Sequence, residues 1–180
     1  MKKLSILFLA LLSAVIFSCK DNTKEPEVVT VDNTTETKEV YEVAKSDAVF
    51  IDPKVESVFQ QYLKVQNALI NTDAKTASFE AKNLQPMLTE IEGDEVVQKA
   101  ATGIADSDDI NFQRESFEHL SNGMEKILEG SLKDGSLYKQ YCPMAFNNKG
   151  AYWISSGKNI LNPYFGDKML KCGRVDSEIQ

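Results

Sequence analysis

The sequence predicts an all-α fold, an antiparallel bundle of about four helices followed by an irregular C-terminal cap segment rich in Cys, Met and aromatic residues. Three observations predict it. Apolar residues recur at helical spacing from Val55 to Leu128, with short breaks that carry Asp, Asn or Gly. No alternating strand pattern of useful length interrupts them. After Leu132 the periodicity is lost, and Gly, Pro and aromatic residues become frequent.

The N-terminal segment, residues 1–18, has the features of a lipoprotein signal peptide. Lys2 and Lys3 form a positive start, and the apolar run up to Phe17 is too short to span a bilayer. Cys19 follows a small residue, as in a lipobox, so we expect cleavage before Cys19 and lipidation of its side chain. An ordinary secretory signal beside a stray cysteine is the alternative. Acyl chains on Cys19 would anchor the protein to a membrane.

Composition divides the remaining chain into residues 19–49 and 50–180. Thr, Glu, Lys, Asp and Val dominate residues 19–49 without a periodic apolar face, which predicts a disordered tether. Residues 50–180 are long enough for a single helical-bundle domain with its C-terminal cap. The 20 basic residues against 27 acidic ones give a net charge of −7. We therefore expect no nucleic-acid partner, because phosphate binding needs basic patches.

The first two helices are predicted from their starts and their apolar stripes. Asp52 followed by Pro53 indicates a helix start, because Pro is favoured at the first helical position. Asp73 can cap the second helix, in which Pro86 is expected to kink or restart the chain. The largely apolar stripe of the first helix consists of Val55, Val58, Phe59, Tyr62, Leu63, Gln66 and Leu69.

Two further helices follow after Gly93. Asp94 predicts the cap of a shorter third helix. The acidic run at residues 106–109 predicts the start of the fourth, because carboxylates are favoured at the positive end of a helix. The short connections favour an up-and-down arrangement. The buried stripe of the fourth helix is predicted at Ile110, Arg114, Phe117, Leu120, Met124, Ile127 and Leu128.

The C-terminal segment carries too many aromatic side chains to remain in water, so we expect it to fold back over one end or face of the bundle. Asn147 to Gly150 predicts a hairpin tip between residues 142–146 and 152–154. The aromatic residues of the segment are Tyr138, Tyr141, Phe146, Tyr152, Trp153, Tyr164 and Phe165.

Two Cys–Met pairs make this segment the candidate site. Cys142 and Met144 are two residues apart, a step that places both sulfurs on one side of an extended strand. Met169 and Cys172 are three apart, which is one face of a helical turn. Thiolates and thioethers are soft ligands that suit Cu(I). The sequence permits a four-sulfur site or a two-plus-one site.

Each of these residues has a structural alternative. Two cysteines in an exported domain commonly form a disulfide, here between Cys142 and Cys172, and a pair of free inert thiols is the third possibility. Either methionine can instead fill a gap in an aromatic core. Trp153 could cover a bound Cu(I) through a cation–π contact. The better interpretation of Trp153 is a hydrophobic anchor for the segment.

Several short strings of the segment resemble an uncharacterised helical domain family of Gram-negative envelopes. The resemblance is also seen upstream, at Phe117, Leu120 and Ser121, and it covers roughly residues 55–175. Members of that family occur as stand-alone lipoproteins and as an extension of membrane fusion proteins in heavy-metal, copper-type efflux systems. It implies a metal-handling context with efflux components as partners, and no established reaction. The strings are Cys142-Pro-Met-Ala, Tyr152-Trp, Asn162-Pro-Tyr-Phe-Gly and Met169-Leu-Lys-Cys-Gly.

Enzyme signatures are absent from the sequence. It contains no Gly-x-Gly-x-x-Gly, phosphate loop, His-Glu-x-x-His or Gly-x-Ser-x-Gly. His119 is the single histidine, so a hydrolytic zinc site built from several histidines cannot form. We therefore expect a protein that is not an enzyme.

Together these observations predict a protein lipid-anchored in the envelope of a Gram-negative bacterium, on the periplasmic side or at the outer-membrane surface. We expect it to bind a soft metal ion, Cu(I), in heavy-metal resistance or efflux. The alternative is a disulfide-stapled, non-catalytic interaction module whose binding segment contains Trp153, Tyr164 and Phe165. The predicted metal ligands are Cys142, Met144, Met169 and Cys172.

Overall fold

The structure, a computed structural model, describes residues 39–180. The predicted signal peptide, the lipidation site Cys19 and the tether up to residue 38 lie outside the described residues. Helices account for 51% and strands for 15% of the described chain. The helix-rich character is confirmed. The all-α class is wrong, because much of the cap segment that was expected to be irregular forms a β-sheet.

Four helices form the body of the described chain. Consecutive helices pack against each other, and α1 also contacts α4. α2 continues through Pro86 as a single helix. None of the helices within residues 39–180 is both long and apolar enough to cross a membrane. The helices are α1 (Pro53–Ile70), α2 (Ala74–Glu90), α3 (Glu95–Ala105) and α4 (Ile110–Leu128).

Each of these helices begins after an aspartate. In every case the side-chain carboxylate accepts a hydrogen bond from a backbone N–H of the first turn, which would otherwise lack a partner. The distances lie between 2.8 and 3.0 Å. The predicted helix starts are therefore confirmed. The four capping residues are Asp52, Asp73, Asp94 and Asp109.

Two small antiparallel sheets complete the described fold. β1 (Val49–Phe50) pairs with β2 (Leu132–Asp134), where the chain enters and leaves the bundle. The larger sheet has the strand order β4–β3–β5. A short turn, α5 (Ala145–Asn148), joins β3 to β4, and a 3-10 turn (Gly166–Met169) precedes β5. The strands of the larger sheet are β3 (Leu137–Cys142), β4 (Ala151–Ser155) and β5 (Arg174–Ile179).

The predicted hairpin turn is confirmed, since Cys142 pairs with Ala151 directly beside the turn. The first arm predicted at residues 142–146 is wrong, because β3 already ends at Cys142 and the turn takes up the following residues. The third strand, β5, has mostly polar and exposed residues, so its sequence lacks the alternation that marks a half-buried strand. β5 is an edge strand that pairs with the distant β3 through the backbone. A strand that pairs only through its backbone is therefore hard to recognise from the order of its polar and apolar side chains.

Trp153 on β4 lies in the core and is fully buried. Its indole meets the ring of Tyr164 edge to face, at 5.9 Å between centroids. With its side-chain amide oriented to match its neighbours, Gln66 of α1 accepts a hydrogen bond from Trp153 Nε1 at 3.2 Å and donates one to the Ile154 carbonyl at 3.2 Å. Trp153 therefore joins the sheet to the bundle, as expected of an anchor.

Tyr62 of α1 provides a second connection between bundle and sheet. Its ring stacks on Phe117 of α4 at 5.1 Å between centroids. Its hydroxyl is 2.8 Å from Ser121 Oγ and accepts a hydrogen bond from the backbone N–H of Ile154 at 3.1 Å. Burial raises the pKa of Tyr62 well above its ordinary value, so the phenol remains protonated.

Residues 39–48, here called the strap, have no regular secondary structure and lie against the domain. Asn71 Oδ1 accepts from the Tyr41 N–H at 2.9 Å, and Asn71 Nδ2 donates to the Tyr41 carbonyl at 2.7 Å. Asn67 Oδ1 accepts from the Val43 N–H at 2.8 Å. The Ala44 carbonyl accepts from the Ser156 hydroxyl. The described end of the predicted tether thus makes specific contacts with α1 and with the end of β4.

Replacing both Asn67 and Asn71 by alanine is expected to release the strap. Three hydrogen bonds between the asparagine side chains and the strap are lost, each contributing about 1 kcal/mol. Limited trypsin digestion should then cut after Lys45 several times faster than in the parent protein, as followed by mass spectrometry. Asn122→Ala, on the exposed side of α4, is the matched control and should leave the rate unchanged. An unchanged rate in the double variant would contradict the importance of these hydrogen bonds.

Candidate functional site

Cys142 and Cys172 meet at one end of the larger sheet. Cys142 is the last residue of β3, and Cys172 lies just before β5, which pairs with β3. Their Sγ atoms are 3.3 Å apart, and both cysteines are free thiols. Cys142 is fully buried, whereas Cys172 is partly exposed. The structure thus brings together the two predicted cysteines.

The segment before Cys172 is positioned by Asn162, which is buried. Asn162 Nδ2 donates to the Cys172 carbonyl at 2.7 Å, and its Oδ1 accepts from the backbone N–H of Tyr164 at 2.8 Å. Gly173 has a φ of +148°, and a Cβ there would come within 2.9 Å of Cη2 of Trp153. Glycine therefore lets the chain pass closely over the indole, so Trp153 also supports the backbone beside Cys172.

Burial raises the pKa of the Cys172 thiol above its ordinary value, and the adjacent Cys142 raises it further. The thiolate is the form that binds a metal or attacks a disulfide. Cys172 is therefore protonated at neutral pH in the reduced protein. A metal ion that binds there must displace the proton, and its apparent affinity will rise with pH.

Met144 and Met169 lie in a different place. Both line a surface pocket of about 470 Å³, here called the Met pocket, and neither cysteine lines it. The structure therefore pairs only the two cysteines, while the two methionines line a separate pocket. Among residues 39–180, no group of three or more His, Cys, Asp or Glu side chains could hold a metal ion. The side chain of His119 is 65% exposed and lies 3.7 Å from Glu118.

The residues of the predicted binding segment are mostly internal. Trp153 is fully buried and Tyr164 is 6% exposed, with its hydroxyl donating to the Tyr152 carbonyl. Phe165 is partly buried, and with Tyr164 it lines the Met pocket. In this fold Trp153 is reached by no partner at the surface, while Tyr164 and Phe165 can contact a molecule that enters the pocket.

Arg114 is the residue whose role sequence reasoning missed. The pattern predicts its burial on α4, but not its partners. Nε donates to the Pro163 carbonyl at 2.9 Å, and Nη2 donates to the Leu69 carbonyl at 3.2 Å and to Thr72 Oγ1 at 3.1 Å. Arg114 thus connects α4, the end of α1 and the segment before the 3-10 turn. The available signal was an arginine at an apolar position of an amphipathic helix.

Comparison with known proteins identifies one similarity. A family described as "Protein of unknown function (DUF3347)" matches residues 58–135. No curated protein and no solved structure matches the chain. The similarity therefore covers most of the helical bundle and β2, and it stops before the strand that carries Cys142.

Proposed function

We propose that this is a lipid-anchored cell-envelope protein that binds a soft metal ion, Cu(I), through Cys142 and Cys172, in heavy-metal resistance or efflux. The observation that carries the proposal is the close pair of cysteine sulfurs, one of which belongs to a partly exposed residue. Thiolates are the protein ligands that favour Cu(I) over hard cations. The resemblance of the Cys-Pro-Met-Ala and Met-Leu-Lys-Cys-Gly strings to a family found in efflux adaptors supports the biological context.

Binding requires Cys172 to move. A metal–thiolate bond is about 2.3 Å long, so sulfurs 3.3 Å apart are too close for an ion to lie in line between them. Cys142 is fixed within β3, whereas Cys172 follows the 3-10 turn and reaches the surface. Rotation of the Cys172 side chain is the simplest way to open the pair for a metal ion.

Of the predicted metal ligands, only the two cysteines take part in this proposed site. Met144 and Met169 line a pocket that also contains the positively charged Arg114. The Arg114 guanidinium repels a metal cation, and the Glu115 carboxylate that also lines the pocket offsets this repulsion only in part. The methionines could serve the metal only after they leave this pocket.

A second candidate function is an interaction module stapled by a disulfide between Cys142 and Cys172. The short distance between the thiols also favours this possibility, because a disulfide needs the sulfurs to approach from 3.3 Å to about 2.05 Å. The oxidising conditions outside the inner membrane favour such bonds. The Met pocket, with Tyr164 and Phe165, would then be the binding surface.

A Cu(I) titration against a chromophoric chelator, without oxygen, tests the metal proposal. The reduced protein should bind one Cu(I) with an apparent affinity that rises from pH 6 to pH 8, because binding displaces thiol protons. Cys142→Ser and Cys172→Ser should each weaken binding by at least about a hundredfold, since indirect contacts alone change affinity by up to about that factor. Met87→Leu, in α2, is the control and should leave the affinity unchanged.

Unchanged affinity in both serine variants would exclude the cysteines as ligands. Alkylation of protein isolated from cells without reductant, followed by mass measurement, then separates the two candidate functions. Two alkylated thiols in the mature domain are expected of a metal carrier. No alkylated thiol is expected of the stapled module.

A further inference from the structure

Arg114 carries a positive charge that no ion pair within residues 39–180 balances. Its side chain is buried, since Arg114 is only 6% exposed. Its hydrogen bonds from Nε and Nη2 all go to neutral acceptors, the carbonyls of Pro163 and Leu69 and the hydroxyl of Thr72. The third nitrogen, Nη1, makes no hydrogen bond to any of the described residues.

A buried guanidinium of this kind is unusual. Arginine stays charged in proteins, so Arg114 cannot avoid the cost of burial by losing its proton. Burial lowers the pKa of Arg114, and the Asp167 carboxylate, which is too distant for an ion pair, partly opposes this effect. Removing a charge from water is costly unless an opposite charge compensates for it. An anion placed beside Arg114 would supply that compensation.

The Met pocket offers an anion both polar groups and apolar walls. Arg114 is one of its lining residues, and the methionine side chains with Phe146 and Phe165 contribute apolar surface. The polar residues Asn147 and Asn148 line the same pocket. Its volume of about 470 Å³ is within the range of small-molecule sites.

The backbone at the edge of the pocket is held in an uncommon conformation. Phe146, Asn147 and Asn148 have φ values of 50°, 57° and 65°, three consecutive non-glycine residues in the left-handed region. The turn is closed by the Gly150 N–H, which donates to the Ala145 carbonyl at 3.0 Å, and by the Phe146 ring against Tyr164. Such conformations persist where surrounding contacts impose them, and they cluster at ligand sites.

We propose that the Met pocket binds a small organic carboxylate, with the carboxylate group balanced by Arg114 and the apolar group against Met144, Met169 and Phe165. A monoanion suits the site better than a phosphate dianion, because Glu115 also lines the pocket and the whole chain carries a charge of −7. The apolar walls select an organic acid over an inorganic anion. The site is separate from the cysteine pair.

Benzoate is the probe, added to the ¹⁵N-labelled full chain in detergent and followed by two-dimensional NMR. Saturable shifts are expected at Asn111, at residues 146–148 and at the side-chain Nε–H of Arg114. Benzamide, which has the same shape without the charge, should produce no comparable shifts. The Cys142→Ser/Cys172→Ser variant should bind benzoate as the parent does, which distinguishes this proposal from the metal proposal.

Two exposed positions allow the charge of the pocket to be changed without disturbing the Arg114 contacts. Glu115→Gln removes a negative charge and should tighten benzoate binding by roughly fivefold, whereas Met144→Glu adds one and should weaken it by roughly fivefold. Met144→Gln is the neutral control for the latter. Absence of saturable shifts, equal binding of benzamide, or indifference to both charge changes would overturn the proposal.

Discussion

Oxidation of Cys142 and Cys172 to a disulfide is expected to raise the free energy of unfolding by about 3 to 4 kcal/mol. The bond would join residues 30 positions apart, and in the chain-entropy model closing such a loop restricts the unfolded chain. The folded state needs little adjustment, because Cys142 ends β3, Cys172 lies just before the adjacent strand β5, and their Sγ atoms are already 3.3 Å apart. The effect is large against a typical domain stability of about 5 to 15 kcal/mol.

Urea unfolding followed by circular dichroism, with the protein either reduced or oxidised, measures this difference. The Cys142→Ser/Cys172→Ser variant is the control and should unfold at the same urea concentration under both conditions. If the parent protein also unfolded at the same urea concentration under both conditions, Cys142 and Cys172 would not form a stabilising disulfide. A confirmed difference would mean that the redox state controls both domain stability and the availability of the thiols for a metal.

Trp153→Ala is expected to lower the free energy of unfolding by about 3 to 5 kcal/mol. The substitution removes the fully buried indole between sheet and bundle, together with its edge-to-face contact with Tyr164. It also leaves the Gln66 amide without the Nε1–H donor of the indole. Chemical denaturation monitored by circular dichroism gives the change directly.

Phe79→Ala is the matched control for the tryptophan variant. Phe79 lies on α2 with 60% of its surface exposed, so its truncation should change stability by less than about 0.5 kcal/mol. Equal losses of stability in the two variants would show that Trp153 does not anchor the sheet.

Since Trp153 also supports the backbone at Gly173, Trp153→Ala should speed alkylation of Cys142 in the folded protein.

The bundle was predictable because its signals are local. Each helix start is marked by an aspartate that bonds to its own first turn, and each buried stripe repeats at the helical period. These interactions form within a few residues of one another, so they can be recognised in the order of residues alone. Pro86 is the exception, since α2 continues through a residue that favours a break.

The sheet and the candidate site were only partly predictable. The hairpin was evident from the turn at Asn147 to Gly150, whereas the polar β5 is recognisable as a strand only beside β3. The four sulfur residues were identified from their spacing. Their separation into a thiol pair and a methionine-lined pocket depends on how the segment between β4 and β5 folds over the bundle.

The sequence by itself determined the number and starts of the helices, the hairpin turn and which sulfur residues are candidate ligands. Only the tertiary structure decided that the two cysteines and the two methionines lie in separate places, and that Arg114 bonds to neutral acceptors and to no carboxylate within residues 39–180. These features result from contacts between residues far apart in the chain, such as Arg114 with Leu69 and Pro163. Such contacts depend on how several helices and strands pack together at once. The local pattern of apolar and polar residues in a sequence does not specify that packing.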